Sequence, residues 1–147
     1  MEQVNENKLL AIKDVIRTAE SRINYLRGLI RIAECDENKS SAEEGYICRI
    51  AEIIGASHSE IWQAEQQEEN DDFAEINFET KQEKSLFLIQ ALYMCWIDDD
   101  YSDAEREAII ALGINFGIDQ IEIESIESWV KQGIDWMKAG SELIGLE

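Results

Sequence analysis

Proline is absent from the 147 residues, where average usage of about 5% would supply roughly seven. Nothing therefore interrupts long helices, and a fold built from many tight turns is hard to assemble. Basic residues are few: 13 Lys and Arg stand against 32 Asp and Glu, a net charge of −19. Such a surface repels phosphate backbones and anionic lipid, so nucleic acid and membrane surfaces are poor first guesses for a partner, and cationic partners and metal ions better ones. The single histidine, His58, lies in the turn Ser57-His58-Ser59 with no nucleophile nearby in sequence, so it reads as a surface residue without triad or dyad chemistry. The three cysteines, Cys35, Cys48 and Cys95, are odd in number and lack CxxC spacing, so no disulfide framework or zinc motif is expected. All three fall in apolar helical stretches and read as buried structural residues. The eight glycines are scattered and form no phosphate-cradling loop. No run approaches the roughly 18 apolar residues of a membrane span. Met1-Glu2-Gln3-Val4-Asn5 lacks the basic and apolar regions of a signal peptide. The expectation is a soluble, cytoplasmic protein.

What is present is globular: 45% apolar and 31% charged residues suit a single domain over residues 1–147. Its strongest feature is an internal repeat. Residues 25–66 align on 87–128 at a constant offset of 62 without a gap, and ten of the 42 positions are identical. About three would be expected by chance in so biased a composition. The identities include Leu26/Leu88, Asp36/Asp98, Ser40/Ser102, Glu43/Glu105, Ile47/Ile109, Gly55/Gly117 and Glu60/Glu122.

Each copy reads as three helices, so the fold class expected is all-α: about seven helices, built from two three-helix repeats with quasi-two-fold symmetry. The first helix of the second copy runs from about Lys81 to Ile97, and that of the first ends near Cys35. A second helix starts at Ser40 or Ser102 and stops at Gly55 or Gly117, where glycine can take the left-handed cap conformation. A third starts at Ser57 or Asp119. Capping boxes mark all four starts: Ser40…Glu43, Ser57…Glu60, Ser102…Glu105 and Asp119…Glu122. Residues 5–20 read as an N-terminal helix, with a break expected near Ser21, and 67–79 as an acidic linker. The last helix extends through Trp129, Val130, Trp136 and Met137 to about Gly140. Trp62, Trp96, Trp129 and Trp136 could line a partner groove, but their helical spacing favours core packing.

Chemistry is expected where both copies keep a polar residue that folding alone does not require. Asp36 and Asp98 each precede a capping-box glutamate by seven residues, with Glu37 and Asn38, or Asp99 and Asp100, between. Oxygen-rich loops of this kind can wrap a hard cation such as calcium or magnesium. They are not EF-hands: counting Asp98 as position 1, position 6 is Asp103 instead of Gly and position 12 is Ile109 instead of Glu. The competing reading makes Glu43 and Glu105 simple helix caps and the loops solvated turns.

The pattern of apolar helix, Asp, polar loop, Ser-x-Ala-Glu, helix, Gly and capped helix, present twice, resembles the TerB-like family of tellurite-resistance domains. The segments that carry it are Ile30 to Asp36 with Ser40-Ser41-Ala42-Glu43, and Ala91 to Met94 with Asp98 and Ser102-Asp103-Ala104-Glu105-Arg106-Glu107. It covers about residues 20–135. Family members commonly carry Asp-Gly at the loop start, where this chain has Asp36-Glu37 and Asp98-Asp99. The resemblance implies a cytoplasmic all-α module that binds a divalent cation and works with protein partners in stress-response assemblies near the membrane, without catalysing a reaction. The metal ligands it implies are Asp36, Glu43, Asp98 and Glu105, with Asp99 and Asp100 added; no organic cofactor is implied. Two other classes stay open. One is a metal-free acidic interaction module or inhibitor that meets a basic partner. The other is a metal-dependent enzyme, disfavoured because no His ligand or nucleophile is evident.

Overall fold

The computed structural model describes residues 12–35, 41–66, 76–96 and 101–146, with backbone alone for Lys13 and Ser41. Seven helices follow in order: α1 (Ile12–Val15), α2 (Ala19–Glu34), α3 (Ser41–Ile53), α4 (His58–Glu65), α5 (Lys81–Trp96), α6 (Asp103–Asn115) and α7 (Gln120–Leu143). No strand occurs among the described residues. The single-turn α1 precedes six longer helices, and together they enclose one hydrophobic core. The protein is thus an all-α domain.

The helix boundaries follow the repeat. Helices α2 and α5 both have 16 residues, α3 and α6 both have 13, and each pair starts 62 positions apart. Helices α4 and α7 start at His58 and Gln120, again 62 apart, but α7 runs to 24 residues where α4 stops at eight. Local chemistry explains the agreement. Ser57 and Ser102 form full capping boxes with Glu60 and Glu105. Asp119 caps α7 by accepting from the Glu122 amide, while the Glu122 carboxylate pairs with Lys81 at 3.0 Å instead of completing a box. Ser40 lies outside the described residues. Two further caps extend the repeat toward the N-terminus: Thr18 with Ser21, and Thr80 with Glu83. Gly55 and Gly117 take positive φ of 71° and 86°. The following amides, of Ala56 and Ile118, reach back to the carbonyls of Ala51 and Gly113 at 3.0 Å, closing a Schellman motif at both helix ends.

Several expectations need correction. The N-terminal helix is described only from Ile12, and its break lies at Ile16 to Thr18, where Thr18 caps α2, and not at Ser21. Helix α7 continues past Gly140 to Leu143. The end of the presumed linker is core: Ile76 and Phe78 are buried, and Phe78 joins Tyr25, Phe87 and Phe116 in an aromatic cluster with centroids 5.5–6.2 Å apart. Tryptophans behave unlike core residues. Trp62, Trp129 and Trp136 are 61%, 53% and 78% exposed, and of the four only Trp96 is partly buried against the core. Cys35 and Cys48 are exposed and Cys95 alone is buried.

Gly28 marks the tightest crossing in this core. A Cβ built there would sit 2.5 Å from Cζ of Phe87, a ring already held by Tyr25, Phe78 and Phe116. Alanine gains about 1 kcal/mol of helix propensity over glycine, but overpacking a fixed ring costs about 1–3 kcal/mol. Gly28→Ala should therefore lower stability, by up to about 2 kcal/mol in a urea titration.

Candidate metal centre

Two residues of the sequence-derived set lie where structure is described, and they meet. Glu43 stands in the first turn of α3 and Glu105 in the first turn of α6. They come from different copies of the repeat, yet their carboxylates and the Cys95 thiol each offer a ligand atom within 4.8 Å of the others. All three are buried: Glu43 is 4% exposed, Glu105 1% and Cys95 0%. Asp36, Asp98, Asp99 and Asp100 fall outside the described residues.

Each member is placed by a local device. The Glu105 Oε1 accepts from the Ser102 amide at 3.0 Å and from its hydroxyl at 3.2 Å, which fixes the carboxylate against its own helix start. Glu43 occupies the matching position 62 residues earlier. Cys95 is next to last in α5, where unsatisfied carbonyls and the helix macrodipole make the surroundings negative and favourable to a cation. A short network anchors α6 beside it. Tyr101 packs on Trp96 with ring centroids 4.6 Å apart and planes inclined by 59°, and donates to Glu127 at 2.8 Å, while Arg106 donates to the same carboxylate at 3.0 Å.

The electrostatics are those of crowded negative charge. Burial pushes the Cys95 thiol far up from its ordinary pKa, and the neighbouring Glu105 and Glu43 carboxylates push it further. Without a metal it stays protonated, donating to Glu105, and is a poor nucleophile. Two carboxylates and a thiol form an acceptor-rich set that a divalent cation would satisfy; a bound thiophilic cation would also deprotonate the sulfur. His58, the single histidine, is exposed at the start of α4.

Sequence reasoning missed Cys95. It stands opposite Ala33 in the repeat, so a search for polar residues shared by the copies passes over it. The one available signal is its place three residues before Asp98 at the end of the same apolar helix. No protein-family model matches the chain, and neither curated proteins nor solved structures yielded a match.

Proposed function

We propose that this chain is a non-enzymatic stress-response module of the TerB-like, tellurite-resistance type. In this reading two three-helix units related by quasi-two-fold symmetry bind one divalent cation at their junction, and the module docks onto partner proteins in the cytoplasm. One observation carries the proposal: Glu43 and Glu105, the same residue of the two copies, are buried together with Cys95. Bringing two carboxylates out of water costs several kcal/mol each unless a positive charge compensates them. The glutamates would hold the cation, with Asp36, Asp98, Asp99 and Asp100 as further oxygen donors from the adjoining loops. Calcium or magnesium would use the oxygens alone. A borderline metal such as zinc would also take the Cys95 sulfur, and the buried trio favours that class.

A second reading has its own support. Arg31, in the last turn of α2, is a buried cation at 5% exposure. If its guanidinium offsets the glutamates, the chain is a metal-free acidic module whose charge meets a basic partner.

Calorimetric titration of chelator-treated protein separates the two. The metal reading predicts one saturable site per chain, tightest for zinc and weaker for calcium and magnesium. Glu43→Gln and Glu105→Gln should each lower affinity by about a hundredfold or more, since loss of supporting groups alone costs about 10–100-fold. Asp36→Asn/Asp98→Asn tests the loop donors in the same way. Weak, salt-screened heats that ignore all these substitutions would favour the metal-free module.

A further inference from the structure

Helix α7 carries an apolar face that meets the core and, apart from it, an exposed face without charge. Ile123, Val130 and Ile134 are buried on the domain side. A separate line of exposed residues, Ile121, Ser125, Ser128, Gln132, Trp136, Ala139 and Leu143, follows the 3-4 spacing of one helix face, with Trp129 at its edge. None of them is charged. The seven charged residues of α7 (Glu122, Glu124, Glu127, Lys131, Asp135, Lys138 and Glu142) lie off this line, with Glu124 and Asp135 at its rim. A charge-free line of about 33 Å, at 1.5 Å per residue, is out of keeping with the rest of a chain of net charge −19. Beside it, Trp129 and Met137 line an open apolar groove of about 270 Å³ with Tyr46 and Tyr93.

We propose that this face binds a second copy of the chain, α7 against α7 in antiparallel fashion, about a two-fold axis at Gln132. The spacing is self-complementary about that residue: Ile121 falls opposite Leu143, Ser125 opposite Ala139, and Ser128 opposite Trp136. Each Trp136 indole thus meets the small Ser128 of the other copy, and the two Gln132 amides can pair. An isologous interface needs this kind of self-match. The area is sufficient. Ile121, Trp129, Trp136 and Leu143 are 78%, 53%, 78% and 87% exposed. Covering them removes roughly 600 Å² per copy, or about 1,200 Å² in all, the lower end of a specific interface. A basic partner fits this face poorly, because its centre offers no carboxylate and Glu124 and Asp135 stand only at the rim. The same argument fixes the response to salt. Two strongly acidic chains repel at long range, so screening should strengthen an apolar dimer and would weaken an ionic one.

Sedimentation velocity on the full chain, from about 5 µM to about 500 µM, tests the proposal at low and high salt. The expected result is a monomer–dimer equilibrium that tightens with salt. Trp136→Glu should weaken it by about thirtyfold or more, while circular dichroism and melting match the parent at concentrations dilute enough for both to be monomers. In a Cys35→Ser/Cys48→Ser background, Gln132→Cys should form a disulfide-linked dimer under mild oxidation, and Lys131→Cys on the charged face should not. A monomer throughout the range would overturn the proposal. So would a dimer that Trp136→Glu leaves intact, one that salt dissociates, or cross-linking at residue 131 as efficient as at 132.

Discussion

Replacing Glu105 with glutamine should make the metal-free protein more stable and at the same time abolish its stabilisation by a divalent cation. The two effects share one cause. Ligand atoms of Glu105 and Glu43 lie within 4.8 Å of each other, both residues buried. Two like charges at that distance repel by about 3 kcal/mol at an effective dielectric near 20. Glutamine keeps the side-chain carbonyl that accepts from the Ser102 amide and hydroxyl, so the helix cap survives and the charge alone is lost. Less the charge-assisted strength lost at the Ser102 cap, metal-free Glu105→Gln should therefore gain up to about 2 kcal/mol, or about 2–4 °C in melting temperature for each kcal/mol. Wild type should instead gain when cation is added, by about 2.7 kcal/mol at a hundredfold excess over Kd, and the variant should not respond. Melts with chelator and with cation read both. A variant that is less stable without metal and still responds to cation would show that the charge pair is compensated in another way.

Acid should release the link between α2 and α4. Arg22 donates Nε to Glu60 Oε1 at 2.9 Å and a terminal nitrogen to Oε2 at 2.8 Å, and the Ser57 amide donates to Oε1 at 2.9 Å. The Arg22 hydrogen bond, then the Ser57 amide, hold the Glu60 carboxyl down at about 2 from an ordinary 4.5. A carboxyl whose folded pKa is depressed stabilises the fold above its unfolded value and loses that contribution as pH falls through the folded one. The window here runs from about 4.5 down to about 2. The full contribution is up to about 3 kcal/mol, with the side chains 22% and 12% exposed. Glu60→Gln should therefore cost about 2–3 kcal/mol at neutral pH, about half that at pH 3, and almost nothing at pH 2. Denaturant titrations of both proteins across this range test it. A cost that stays constant with pH would mean that Glu60 acts by capping alone.

What the sequence revealed of this fold depended on how local the cause is. Ser57…Glu60 and Ser102…Glu105 are decided within one helical turn, and both boxes form. Gly55 and Gly117 end their helices by backbone conformation alone, again a local matter. The repeat added the long-range information that single motifs lack, because equivalent residues of two similar units tend to face one another. It marked Glu43 and Glu105 as equivalent residues but left open whether the two loops make one site or two; the packing of α3 against the α5 end and α6 brings them together. The misses are non-local. Trp129 and Trp136 carry the same 3-4 spacing as a core stripe, and spacing does not say which of two apolar faces on α7 meets the domain. Ile76 and Phe78 sit in an acidic stretch without periodicity, yet they fill the space beside Phe87. Cys95 became part of the candidate centre only through the packing of the α5 end against α3 and α6.

In the proposed centre Glu43, Glu105 and Cys95 hold one cation between the two copies. Cobalt titration of the chelator-treated protein, followed by absorption, tests it most directly, because a thiolate bound to cobalt gives a charge-transfer band in the near ultraviolet. The account predicts a band that saturates at one cobalt per chain, disappears in Cys95→Ser, and needs far more cobalt in Glu43→Gln or Glu105→Gln. Saturable cobalt binding without that band, or a band that persists in Cys95→Ser, would contradict the assignment of these three residues as the site.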